Sequence, residues 1–195
     1  IILFATSNVH AAKKWKTRLT TEDFAKTHSP YWKIFKPKGN PPFKTILFFH
    51  GGGDESWEDE RVPYINEWTN RGYAFVFVDL YAGRGLGNLG NGKGAGDVRM
   101  TPKHVAGDAL VSFNWLKKQN WADPNKIVAM GYSYGAAVLM DSLVFSAIDE
   151  LPKSLLDKPK GGMEGLKAIA AIAPYCPKNV MGYNIHYSLT KDFSE

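Results

Sequence analysis

Apolar runs of strand length recur along the chain, at Thr45–Phe49, Ala74–Val78, Lys126–Met130 and Lys167–Pro174. Consecutive apolar positions bury both faces of a strand, which suits the interior of a parallel sheet covered on both sides. Between these runs the period lengthens. Val62, Ile65 and Trp68 fall at helical spacing after a cap at Ser56 with Asp59 three residues on, and Asn70-Arg71-Gly72 ends that helix. Thr101-Pro102 opens a second helix, marked by Val105, Ala109, Phe113 and Leu116, and Tyr134 to Ala147 forms a third. Tyr31–Phe35 reads as a short strand closed by the turn Lys36–Pro42. This alternation predicts an α/β fold, a mostly parallel sheet with helices on both faces.

One domain over residues 31–195 is expected, with residues 12–30 a polar lead-in lacking a clear period. Ile1–Ala5 resembles the tail of a signal-peptide apolar region, and Val9-His10-Ala11 fits small-x-small cleavage near Ala12. A secreted or periplasmic protein is the expectation from residues 1–30, with a cytoplasmic one as the alternative.

Composition narrows the function classes. Of 195 residues, 44% are apolar and 22% charged, ordinary values for one globular domain. The net charge of +5 is spread along the chain apart from Lys13, Lys14, Lys16 and Arg18, so no nucleic-acid face is expected. The single cysteine, Cys176, excludes an internal disulfide and a cysteine-based metal framework. Apolar runs stay far below the roughly 20 residues that span a bilayer.

The sharpest motif is Gly131-Tyr132-Ser133-Tyr134-Gly135, a G-x-S-x-G between an apolar strand and a helix. That context is a nucleophile elbow, in which a tight turn lifts a serine hydroxyl above the C-terminal edge of the sheet. The following helix start directs backbone N–H groups and its positive dipole end at the reacting centre. A glycine run, His50-Gly51-Gly52-Gly53, stands at the end of another strand, His50 lying 83 residues before Ser133. Such a run brings backbone amides close to a substrate, where they stabilise the oxyanion of acyl transfer. The expected donors are Tyr134 N–H and Gly52 N–H, with Gly51 N–H the alternative to the latter. His50 is read as orienting its loop and Asp79, at a strand end, as anchoring the next one.

Gly85-Leu86-Gly87-Asn88-Leu89-Gly90 spells G-x-G-x-x-G, but Asn91–Gly96 follows where a dinucleotide fingerprint must open a helix. Gly87–Lys93 imitates a phosphate loop, yet Gly94 replaces the Ser or Thr that holds Mg²⁺. Neither nucleotide reading survives its context. A loop rimming the active site is expected instead.

Phe48–Gly53, Val78–Gly85, Trp121–Ile127 and Gly131–Gly135 occur in an order and spacing that resemble the dienelactone hydrolase family of the α/β-hydrolase fold. The likeness runs from about Tyr31 onward and includes Ala173–Pro177. It implies a serine esterase with no metal or organic cofactor, acting on a small-molecule ester through an acyl-enzyme on Ser133. A serine peptidase of the same fold, or a binding protein on a hydrolase scaffold, is the alternative. The family's best-known members use cysteine where this chain has Ser133, which shifts the expected substrate from dienelactone to other esters. In this fold the acid and then the histidine follow the serine. His186 is the only later histidine and is read as a loop residue, with Asp141, Asp149, Glu150, Asp157 and Glu164 placed too early for the acid. The triad acid and histidine are expected beyond residue 195, and the last strands of the fold with them.

Overall fold

The computed structural model describes residues 18–52, 57–86 and 100–173, with residues 57–62 described by their backbone alone. The signal-like segment, Gly53, Ser56, the glycine loop from Gly87, Cys176 and His186 lie outside the described residues.

A five-stranded sheet forms the centre, from β1 (Lys33–Phe35), β2 (Phe43–Phe49), β3 (Tyr73–Val78), β4 (Ala122–Tyr132) and β5 (Ala168–Ile172). Its spatial order is β1-β3-β2-β4-β5. All neighbours pair in parallel except β1, which runs antiparallel to β3 along the edge. The helices are α1 (Thr21–His28), α2 (Trp57–Asn70), α3 (Pro102–Leu116) and α4 (Tyr134–Ala147).

Strand geometry explains the apolar runs, because successive side chains point to opposite faces. On one face Leu47, Phe49, Val76, Val78, Ile127 and Ala129 join a core with Phe24 of α1, Val105 and Phe113 of α3 and Val138 of α4. On the other, Ile46, Phe48, Phe75, Phe77 and Met130 pack with Ile65 of α2. Helices therefore cover both faces, and this is an α/β-hydrolase-type fold.

The segment expected to be a polar lead-in contains α1. Thr20 caps it, its side chain accepting from Asp23 N–H. Its helical face is narrow, Phe24 and His28 being the buried residues, so the periodicity was hidden among polar neighbours. A distant acid completes the helix start, since Thr21 N–H donates to Asp157 at 2.6 Å. Leu19 also bridges to Leu155.

From β2 the chain crosses to β3 on one side, then returns to β4 on the other. The loops leaving β2 and β4 thus diverge at their C-terminal ends, opening the crevice where ligands bind in open α/β sheets.

Candidate active site

Ser133 occupies the turn between β4 and α4, with φ 49° and ψ −110°. Positive φ is costly for a residue with a β-carbon, and such strain survives only where the surroundings impose it. Here they do. Ser133 N–H donates to Ile172 O of β5 at 2.9 Å, and Ser133 O accepts from Ala137 N–H at 3.2 Å. A serine at this helix-preceding position commonly folds its hydroxyl back onto the first turn. Ser133 makes no such bond, so its hydroxyl does not serve as a cap.

The flanking glycines permit the turn by absence of side chains. A β-carbon on Gly131 stands 2.6 Å from Ala136 Cα and the Gly135 carbonyl oxygen. One on Gly135 stands 2.2 Å from Phe49 O and 2.5 Å from His50 O. The start of α4 therefore lies against the end of β2, and Phe49 pairs in register with Gly131. The two sequence motifs are brought together as a consequence. A β-carbon on Gly51 is 3.6 Å from Ser133 Cβ and 3.1 Å from the Tyr132 ring. Gly52 follows, half-buried, and Tyr134 N–H is the first amide of α4.

His50 is buried, stacked on Phe77 and edge-on to Tyr81. Its Nε2 accepts from Leu80 N–H at 2.9 Å, and Nδ1 lies 2.7 Å from Gly51 O. A backbone N–H only donates and a carbonyl only accepts, so the ring is the neutral tautomer protonated on Nδ1. With both nitrogens committed, His50 orients the loop. Asp79 anchors the next one, its Oδ1 accepting from Tyr81 and Ala82 N–H, each at 2.8 Å.

The tyrosines divide. Tyr81 and Tyr134 are buried and stacked at 6.3 Å, whereas Tyr132 is 41% exposed beside Gly51. Tyr134 OH donates to Met100 O, tying α4 to the segment that leads into α3. Burial pushes the Tyr134 phenol well above its ordinary value.

The acids after Ser133 have other partners or places. Asp149 pairs with Lys158, and Asp157 serves α1. Glu150 and Glu164 are exposed. Asp141 is buried in α4, and burial raises its carboxyl to about 6, Lys103 pulling the other way. Among the described residues there is no cluster of metal-ligating side chains, and no helix is long and apolar enough to cross a membrane.

The sequence reading missed one buried ion pair beneath the site. Arg84 donates to both Asp108 oxygens, at 2.6 and 2.7 Å, and to Leu80 O at 2.7 Å. Both side chains are 1% exposed. A signal was present, since Asp108 falls on the apolar face of α3 beside Ala109 and Val105, where a lone charge demands a partner.

At 30% identity over 145 residues the chain is similar to a multifunctional-autoprocessing repeats-in-toxin protein of Vibrio cholerae, covering 73% of this chain and 3% of that one. At 30% over 116 residues it is similar to dipeptidyl aminopeptidase BIII of Pseudoxanthomonas mexicana, covering 56% and 15% respectively. The chain thus spans a small part of the curated relatives it matches. Among solved structures, native esterase Est2 of Thermogutta terrifontis has 25% identity and a TM-score of 0.37, with 54% of this chain and 36% of that one covered. The 2,6-dihydroxy-pseudo-oxynicotine hydrolase has 14% identity and a TM-score of 0.41, with 63% and 30% covered. The family model for X-Pro dipeptidyl-peptidase (S15 family) matches residues 8–142, more than half of the chain and the whole stretch from β1 through the elbow. The chain belongs to that family, one of the α/β-hydrolase type.

Proposed function

We propose that the protein is a serine hydrolase that cleaves a carboxylic ester through an acyl-enzyme on Ser133. The observation that carries this reading is the backbone of Ser133. A serine held at φ 49°, with its hydroxyl withheld from capping and its β-carbon beside Gly51, is arranged for attack rather than for stability.

Ser133 Oγ attacks the ester carbonyl carbon while a histidine, oriented by a carboxylate, takes the hydroxyl proton. Negative charge collects on the carbonyl oxygen and meets Gly52 N–H and Tyr134 N–H. The proton passes to the leaving alcohol, and water then releases the acid and restores the serine. The histidine and carboxylate are expected beyond residue 195, by the order of the triad in this fold.

A second reading, cleavage of a peptide bond, is favoured by the matching family and by the dipeptidyl aminopeptidase relative. The same parts serve it, because amides and esters share the tetrahedral intermediate. Likeness to dienelactone hydrolases in four sequence blocks supports the ester.

The test is hydrolysis of p-nitrophenyl acetate and of an X-Pro dipeptidyl p-nitroanilide by the full-length protein and its Ser133→Ala variant. Loss of ester turnover by about 10³-fold or more in the variant supports the assignment. Equal turnover by both rejects it. Turnover of the anilide alone, lost with Ser133, replaces the ester reading by the peptide one.

A further inference from the structure

We propose that Arg84 and Asp108 are positioning residues for the oxyanion site, acting through Leu80 and His50 on the Gly51–Gly52 peptide. The inference rests on the acyl transfer proposed for Ser133 and adds to it a set of residues that touch no substrate.

The connection is continuous. Asp108, inside α3, holds the Arg84 guanidinium by two parallel bonds of 2.6 and 2.7 Å. The fork is rigid, and its Nη1, already bonded to Asp108, also donates to Leu80 O at 2.7 Å. On the other side of the same residue, Leu80 N–H donates to His50 Nε2 at 2.9 Å. The imidazole then lies between Phe77 and Tyr81, its Nδ1 2.7 Å from Gly51 O. A trans peptide is planar, with its carbonyl and N–H opposed. Holding Gly51 O toward the imidazole therefore aims the N–H of that peptide, which is Gly52's, the opposite way. Gly51 itself faces Ser133.

Each link is buried, so the arrangement is not maintained by chance contacts. Arg84 and Asp108 are each 1% exposed at the side chain, and His50 is 6% exposed. The guanidinium also lies over the Phe24 ring of α1, 5.4 Å from its centre. Burial pulls Arg84 down, but the Asp108 charge and hydrogen bonds outweigh this and keep it above its ordinary value, hence charged. A glycine loop is soft, and preorganised donors are what make an oxyanion site effective. The fold supplies stiffness to that loop from α3, a helix packed against α4 and β2.

A buried ion pair can be replaced by apolar residues without loss of stability, which separates positioning from mere support. The double variant Arg84→Met/Asp108→Leu removes the bond to Leu80 O and leaves no unpaired charge. In the full-length protein, kcat is expected to fall about 10- to 100-fold with KM within about threefold, short of the loss from deleting a donor outright. Affinity for a trifluoromethyl ketone, which forms the oxyanion adduct, weakens in step. Adding His50→Ala produces no more than about threefold further loss, because both changes act on one peptide. Full kcat in a stable double variant overturns the proposal, as do losses that multiply when His50→Ala is added. Should the double variant not fold, Arg84→Lys, which keeps the charge and loses the fork, is judged by the same criteria. Ser133→Ala in parallel separates the two ideas: its failure to abolish turnover rejects the acyl-enzyme, whereas its success with an indifferent Arg84 rejects the positioning role alone.

Discussion

Gly135 passes so close to the end of β2 that a β-carbon on it stands 2.2 Å from the Phe49 carbonyl oxygen. Phe49 is a backbone-paired residue of the central strand, so that oxygen cannot move aside without disturbing two ladders. Gly135→Ala is therefore expected to cost more than the ~1–3 kcal/mol of ordinary overpacking. Chemical denaturation measures it, and an Ala variant as stable as the parent contradicts the close approach.

Ser133 carries strain that function requires and stability does not. Replacing it by glycine removes the penalty of positive φ, ~1–3 kcal/mol, against an unfolded-state cost of up to ~1 kcal/mol. Ser133→Gly is expected to raise the melting temperature by about 2–4 °C while abolishing turnover. A calorimetric scan showing a lower melting temperature than Ser133→Ala counts against strain at the elbow.

Two buried groups give opposed dependences of stability on pH. Desolvation, reinforced by Arg84, lowers His28 to about 3, so the unfolded chain binds a proton below about 6.5 that the folded one refuses. Its contribution makes stability fall as pH drops from about 6.5 toward 3, by at most ~1.4 kcal/mol per pH unit. Asp141, raised to about 6, does the reverse, since the folded protein takes up its proton first as pH falls. Between about pH 4 and 6 the two slopes oppose each other. Asp141→Asn is expected to stabilise the protein at pH 8 by up to ~3 kcal/mol and to steepen the acid loss, as followed by urea unfolding across pH. A profile unchanged by the substitution removes Asp141 from this account.

Tyr134 supplies a candidate oxyanion donor through its backbone and a structural bond through its side chain. Tyr134→Phe strands the buried Met100 carbonyl, at an expected cost of ~1–3 kcal/mol, with the N–H left in place. Thermal unfolding and kcat together test this: stability falls and the chemical step survives in folded protein.

Much of the architecture is written locally. The four apolar runs became β2, β3, β4 and β5, and the helix expected from Tyr134 to Ala147 has those bounds. Thr101 caps α3, accepting from His104 N–H. These features depend on neighbours within a few residues, through side-chain period, capping and the absence of a side chain at glycine. The elbow is legible in the same local way, because Gly131, Ser133 and Gly135 stand within five consecutive positions, although distant Phe49, His50 and Ile172 hold the turn in place.

What only the tertiary structure decided concerns residues far apart in the chain. Local period does not say that β3 and β4 flank β2, which sets the 50–52 loop beside the elbow. Nor does it show Phe24 in the core, Asp157 at the start of α1, or Arg84 against Asp108 beneath Leu80. Each of these contacts closes a long loop, and its energy depends on burial that exists only once the sheet has formed. The sequence by itself determined which residues can make a strained, glycine-flanked serine turn; the packed sheet decided what that turn faces.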